Sequence, residues 1–309
     1  MNTHDKIYVA GHNGLVGSAV LRLLKSRGFE NIIYRSRKEL DLTDSVQTEA
    51  FFKDEKPAYV VLAAARVGGI KANMTYPADF LYENLMIQNN VIHLSSKYGV
   101  RKLCFLGSSC IYPRECFQPM KEEYLMTGPF EPTNEGYAIA KLAGYKLCLF
   151  YKKQHGLDAV SLMPSNIYGP NDHFDLEKSH VLSAFVKRFV DAIESGTEEV
   201  TLWGTGSARR EFLHADDMAR AVLYFLETHN TSEFINIGPG TDVSIKELAG
   251  KVVRMTGYRG IIKWDTSRPD GMPRKCLDVS RMRQEGFEPE IGLDEGITQM
   301  IEIYRQQRI

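Results

Sequence analysis

The sequence predicts an α/β protein: a doubly wound parallel sheet wrapped by helices, followed by a smaller, irregular α/β lobe. Three observations carry that expectation. From residue 6 to about 170, short β-rich runs alternate with longer helical stretches. A glycine triad stands between the first such run and the first helical stretch. After Gly169-Pro170 the texture changes to polar loops punctuated by Pro and Gly.

Each element follows from its own pattern. Residues 6–10 (KIYVA), 31–35 (NIIYR), 58–64 (AYVVLAA), 102–107 (KLCFLG) and 159–163 (AVSLM) are short and rich in β-branched and aromatic side chains, as strands of a buried parallel sheet should be. Between them, residues 18–27, 77–98 and 136–155 are amphipathic and long enough to cross back over the sheet. Right-handed crossovers then give the doubly wound topology. The expected division is a cofactor-binding domain over 1–170, to which later segments are free to return, and a substrate-binding lobe over 171–309, with a cleft between them. Loops at 171–180 and 264–275 belong to the second part, and there is no fixed-period repeat.

Charge and composition exclude several classes. The 38 basic and 39 acidic residues leave a net charge of −1, which argues against binding along a nucleic-acid backbone. Nowhere do the apolar residues run long enough to span a membrane, and the N-terminal apolar window is too short for a secretory signal. Five cysteines, an odd number without zinc-ligand spacing, predict free thiols in a reducing, cytoplasmic setting and no metal site.

Chemistry begins at Gly11-x-x-Gly14-x-x-Gly17. A strand, a tight glycine turn and a helix N-terminus bring bare backbone N–H groups to a pyrophosphate, whose charge the helix dipole favours. The second strand ends in Arg35, Ser36 and Arg37 rather than in the carboxylate that usually holds an NAD ribose, so a 2′-phosphate and hence NADP is favoured. A tyrosine four residues before a lysine occurs three times, at Tyr34/Lys38, Tyr98/Lys102 and Tyr137/Lys141, so the spacing alone carries nothing. Only Tyr137/Lys141 lies in a helical stretch following a strand that ends in Gly107-Ser108-Ser109-Cys110. One helix face would carry both side chains, and the Lys141 ammonium, with the positive charge of the oxidised nicotinamide, is expected to favour the phenolate of Tyr137 and lower its pKa, making it a proton donor to a carbonyl that receives hydride.

These residues, with Asp41-Leu42-Thr43-Asp44 after the second strand, resemble the extended short-chain dehydrogenase/reductase family over essentially the whole chain. The strings LAAARVGGIKAN (62–73), YPADF (76–80), FLGSSCIYP (105–113), EPTNEGYAIAK (131–141) and REFLHADDMA (210–219) are similar to one branch of it. That branch epimerises C3 and C5 of GDP-4-keto-6-deoxy-D-mannose and then reduces C4 with NADPH.

The resemblance implies a Rossmann-type fold, NADP(H) as cofactor, and a homodimer formed through the helices around 86–98 and 136–153. Implied cofactor contacts are Gly11, Asn13, Gly14, Leu15, Val16 and Gly17 in the first turn, then Arg35, Arg37, Asp41 and Leu42. Further along they are Ala64, Ala65, Leu106, Gly107 and Ser108, followed by Tyr137, Lys141, Pro164, Asn166, Ile167 and His180. Implied substrate contacts are Ser108, Cys110, Asn166, Arg188, Trp203, Arg210, Asp270 and Lys275. Cys110 and His180 would be base and acid for the epimerisation, with His173 a rival for the acid and with Ser108 and Tyr137 holding the enolate oxygen. An ionised thiol can take a proton α to the C4 ketone, which makes the assignment chemically sound. Asn13 departs from the arginine frequent at that position, which leaves more of the 2′-phosphate recognition to Arg37 and Arg35. Competing readings are a nucleotide-sugar 4-epimerase or 4,6-dehydratase of the same fold and, more remotely, a non-catalytic NADP sensor.

Overall fold

Residues 1–175, 179–229, 233–267 and 270–307 are described in a computed structural model of the chain. The first half lays down β1 (Ile7–Ala10), α1 (Leu15–Ser26), β2 (Ile32–Ile33), α2 (Ser45–Glu55) and β3 (Tyr59–Leu62). Then come α3 (Ile70–Thr75), α4 (Pro77–Lys97), β4 (Lys102–Leu106), α5 (Glu135–His155) and β5 (Ala159–Pro164). β4 and β5 are buried along their whole length, which is why they read as continuous apolar runs rather than alternating ones.

Several boundaries differ from the sequence reading, the third strand for instance spanning Tyr59–Leu62 rather than 58–64, and two of the differences have a visible cause. The second strand shrinks to Ile32–Ile33, because Tyr34 turns outward and Arg35 is drawn into an ion pair with Glu55 at 2.7 Å. The first helix starts earlier, at Leu15, so that Gly17 and Ser18 lie inside it. α2, which the alternation did not single out, is started by Asp44, whose carboxylate accepts from the N–H groups of Val46 and Gln47.

The second half continues with β6 (Asn166–Tyr168), α6 (Val181–Ser195), β7 (Glu199–Trp203), β8 (Arg209–Arg210), β9 (Phe212–His214), α7 (Ala215–Thr228) and β10 (Ile235–Ile237). It ends with β11 (Val243–Ser244), α8 (Ile245–Thr256), β12 (Ile261–Asp265), β13 (Arg274–Lys275), α9 (Ser280–Gln284) and α10 (Leu293–Gln306). β10 pairs in parallel with β5, completing a six-stranded sheet ordered β10-β5-β4-β3-β1-β2. α7 packs on α1, so the chain returns to the sheet after residue 170.

Two apolar cores result. One surrounds the sheet and includes Val9, Val60, Phe105, Leu162, Phe225 and Ile237. The other lies among α6, α8, α10 and β7, where Val186, Phe189, Leu248, Val252, Ile297 and Met300 meet. Two small sheets, β11-β8-β13 and β12-β7, belong to the same side of the molecule as the second core. Among the described residues, no helix is long and apolar enough to cross a membrane.

Candidate active site

The strand order reverses between β1 and β3, since α1 leads from β1 outward to β2 while β3, β4 and β5 stack on the other side. A crevice opens there at the carboxyl ends of the strands. Gly11 sits at its floor with φ +85°, and a Cβ on it would lie 2.6 Å from the backbone nitrogen of Ala64, so no other residue fits. A Cβ on Gly17 would overlap the carbonyl of Gly11. Gly14 begins α1 without a side-chain cap, leaving the amides of Leu15, Val16 and Gly17 as the open first turn. The cradle fits a dinucleotide pyrophosphate: bare N–H groups, no obstructing side chain, and the positive end of a helix. Asn13 stands exposed at the lip, and Ala64 and Ala65 form the facing wall at the end of β3.

Beyond β2 the two arginines part company. Arg35 is bound by Glu55 at 2.7 Å and lies over the Phe51 ring. Arg37 is 70% exposed, with Glu83 at 3.4 Å and Asp41 at 3.9 Å. Asp41 also accepts from the N–H and hydroxyl of Thr43, and these bonds hold its carboxyl below the usual range. Leu42 beside it is buried in the core.

The structure gathers Ser108, Cys110, Tyr137 and Lys141 at the end of β4. The Tyr137 phenol is hydrogen-bonded to Ser108, and Ser108 also accepts from the Cys110 N–H at 3.2 Å. Lys141 is buried and donates to the carbonyl of Leu106 at 2.8 Å, with its Nζ 5.8 Å from the Tyr137 ring centroid. Without the cofactor's charge the expected direction is reversed. Burial, reinforced by the neighbouring Cys110, pushes the phenol pKa well up rather than down, the Ser108 hydrogen bond offsetting only part of it. Lys141 itself is lowered to about 8, again by burial.

A residue the sequence reading missed completes the cluster. Asn134 occupies the position that starts α5, yet its side chain does not cap the helix; its amide nitrogen donates to Cys110 Sγ at 3.2 Å. Lys275, expected at the substrate, also reaches this sulfur, with Nζ at 3.4 Å. An asparagine at a helix start three residues before Tyr137 is the signal that was there to read.

Pro164 and Asn166 follow on at the end of the sheet, where the Asn166 amide donates to the Glu211 carbonyl at 2.8 Å and Ile167 is half-buried. Arg210 is held by the carbonyls of Arg209 and Met272 at 2.8 and 2.6 Å. The Asp270 carboxylate accepts from the Thr205 N–H and hydroxyl at 2.7 and 2.6 Å. Trp203 is 60% exposed. Arg188 donates to the Thr201 carbonyl at 3.3 Å, and His180 starts α6 as an exposed residue, as His173 is in the preceding loop. Beneath Arg210 lies Glu211, fully buried, accepting from the N–H groups of Gly240 and Leu277 at 2.6 and 2.8 Å.

A glycine cradle at the switch point of a parallel sheet, opening onto Ser108, Tyr137 and Lys141, defines a dinucleotide-dependent oxidoreductase or epimerase. The family model described as "NAD dependent epimerase/dehydratase family" matches residues 7–238, and the chain belongs to that family. It is 53% identical over 299 residues to GDP-L-fucose synthase 1 of Arabidopsis thaliana, covering 97% of this chain and 93% of that one. It is 48% identical over 302 residues to GDP-L-fucose synthase of Escherichia coli, covering 95% and 94%. A solved structure of GDP-mannoheptose C4 reductase from Campylobacter jejuni with NADP bound superposes with a TM-score of 0.91 at 39% identity, covering 99% of both chains.

Proposed function

We propose that the protein converts GDP-4-keto-6-deoxy-D-mannose to GDP-L-fucose, epimerising C3 and C5 and reducing C4 with NADPH. The observation that carries this reading is the placement of a half-buried thiol, Cys110, beside Ser108 and Tyr137. Reduction alone needs no thiol, whereas removing protons α to a ketone needs a base. The identities to curated GDP-L-fucose synthases support the same substrate.

When bound, NADPH supplies the hydride that C4 receives. Gly11, Gly14 and Gly17 with the first turn of α1 would hold its pyrophosphate, and Arg37 its 2′-phosphate. The Cys110 thiolate takes the proton from C3 or C5, the bonding pair moves toward O4, and the hydroxyls of Ser108 and Tyr137 hold the enolate oxygen. His180 returns a proton from the other face, inverting the centre; the thiol then gives its proton up to solvent and His180 takes one from solvent, which resets both groups for the second centre. Tyr137 then protonates O4 as C4 is reduced, with the Lys141 ammonium supporting the phenolate left behind. Arg188, Trp203, Arg210 and Asp270 would grip the GDP portion from the lobe built on the second core, while residues 1–170 with α7 and β10 would hold the cofactor. Incubation with GDP-4-keto-6-deoxy-D-mannose and NADPH tests the assignment. NADPH absorbance should fall as GDP-L-fucose forms, and a protein that consumes no NADPH but retains bound NAD would be a 4-epimerase or dehydratase instead.

A homodimer through α4 and α5 is part of the proposal, supported by the exposed Tyr82, Ile139 and Phe150 on those helices. Equilibrium sedimentation of wild type and Phe150→Arg tests it, a monomeric wild type overturning it. Five free cysteines, three of them buried, suit a reducing cytoplasm.

A further inference from the structure

Two hydrogen-bond donors converge on the sulfur of Cys110 from different parts of the fold. Asn134 Nδ2 approaches to 3.2 Å from the start of α5, and Lys275 Nζ to 3.4 Å from β13. A neutral thiol is a weak acceptor, so a pair of donors on one sulfur is an arrangement suited to a thiolate. Neither donor is committed to the ordinary task of its position. Asn134 leaves the start of α5 uncapped by its side chain, and Lys275 makes no ion pair with a carboxylate among the described residues.

The backbone that delivers Lys275 is fixed on both sides. Lys275 pairs in register with Arg210 of β8. The next residue, Cys276, donates its N–H to Gln118 Oε1 at 3.0 Å and accepts from the Met120 N–H at 2.8 Å, and Leu277 donates to the buried Glu211 carboxylate at 2.8 Å. The ammonium is thus carried across to the end of β4 from a strand that belongs with Arg210. Among the described residues, the titratable group that faces Cys110 besides Lys275 is the Tyr137 phenol, whose proton burial retains. Lys275 also faces Cys116, but burial raises that thiol's pKa and it has no second donor in the cluster.

We propose that Lys275 is a positioning residue for the epimerisation, its ammonium, together with the Asn134 amide, holding Cys110 as the thiolate that takes the C3 and C5 protons. The proposal rests on the reading of Cys110 as the base. In each step the thiolate gains the proton, the carbon's bonding pair becomes the enolate, and reprotonation restores the ketone, so Lys275 keeps its own proton throughout. A lysine that served only to hold the diphosphate would affect binding of GDP and leave the thiol unchanged.

The test uses the full chain without substrate. Alkylation of Cys110 by iodoacetamide, a neutral reagent, is followed by site-resolved mass spectrometry against pH, with Cys110→Ser as background. Lys275→Gln should slow alkylation at neutral pH by about tenfold and move its pH profile upward, whereas Lys275→Arg should retain most of the rate. Asn134→Ala should give a smaller loss in the same direction. With substrate, deuterium incorporation at C3 and C5 should fall in kcat for Lys275→Gln. Wild-type alkylation in a folded Lys275→Gln protein overturns the proposal while leaving the base reading intact. Wild-type deuterium incorporation in Cys110→Ser overturns the base reading itself.

Discussion

Lys141 gives its hydrogen bond to the carbonyl of Leu106, at 2.8 Å, and none to the phenol of Tyr137 that precedes it by one helical turn. The ammonium is anchored to the last residue of β4, so its position at the crevice is set by the sheet as well as by α5. In the free protein the Tyr137 phenol is raised by burial and by Cys110 and lowered in part by its hydrogen bond to Ser108.

A pH dependence follows from that burial. Lys141 titrates at about 8 rather than near 10.5, so the ammonium is present below that pH and lost above it. kcat/KM for NADPH consumption, which reports the free enzyme, should decline above about pH 8. In stability the sign is opposite: the unfolded chain holds the proton up to a higher pH, so this group adds stability as pH rises from 8 to 10.5. Lys141→Met should lower kcat and remove the alkaline limb, and a limb unchanged in that variant would assign it elsewhere.

Tyr137→Phe separates the two reactions. Loss of the proton donor should reduce NADPH consumption by about 10²–10⁴-fold. Ser108 remains to hold the enolate oxygen, so solvent-deuterium exchange at C3 and C5 should persist. Equal loss of reduction and exchange would show that the phenol is needed for proton removal too.

Recognition of the 2′-phosphate should fall on one arginine. Arg35 is tied to Glu55 and covers Phe51, while Arg37 is largely exposed and only loosely paired. Surface pairs of that kind are worth about 0–1 kcal/mol, so Arg37 can leave Glu83 at little cost. Arg37→Ala is expected to raise the KM for NADPH about tenfold or more with little change for NADH, by loss of a charge-assisted contact. Arg35→Ala should alter it less than about threefold, acting through stability instead. The reverse ranking of the two variants would sink this assignment.

What was legible in the sequence, and what was not, divides by range. The strand positions, the glycine turn and the Tyr137/Lys141 pair were readable because each is local: short β-rich runs, closely spaced glycines, and one helix face, with Ser108 following from its place at a strand end. The expectation for Tyr137 counted the charges of Lys141 and of the oxidised nicotinamide, and the sequence did not show the burial that raises the phenol in the free protein. Arg35 and Arg37 look equivalent in the string, and only the position of Glu55, twenty residues on, distinguishes them. Lys275 could be placed near the substrate by resemblance. Its contact with Cys110 spans 165 residues and depends on how β13 pairs with β8, which no local pattern encodes.

Glu211 shows what such long-range contacts cost and secure. Its fully buried carboxylate links Gly240 and Leu277 to the strand that carries Arg210, and burial raises it to about 7 from 4.5. Because the folded value lies above the unfolded one, its contribution to stability is full below about pH 4.5 and is lost as pH rises through 7. Glu211→Gln removes that titration but turns an NH₂ toward one of the two backbone N–H groups, leaving it unpaired at a cost of about 1–3 kcal/mol. Thermal unfolding should therefore show the variant less stable than wild type by more at pH 5 than at pH 8. Since Leu277 is two residues from Lys275, the variant should also bind GDP more weakly by loosening β13 against β8. A stability difference that grows with pH would mean that Glu211 is ionised in the folded protein throughout, and that its two N–H donors outweigh its burial.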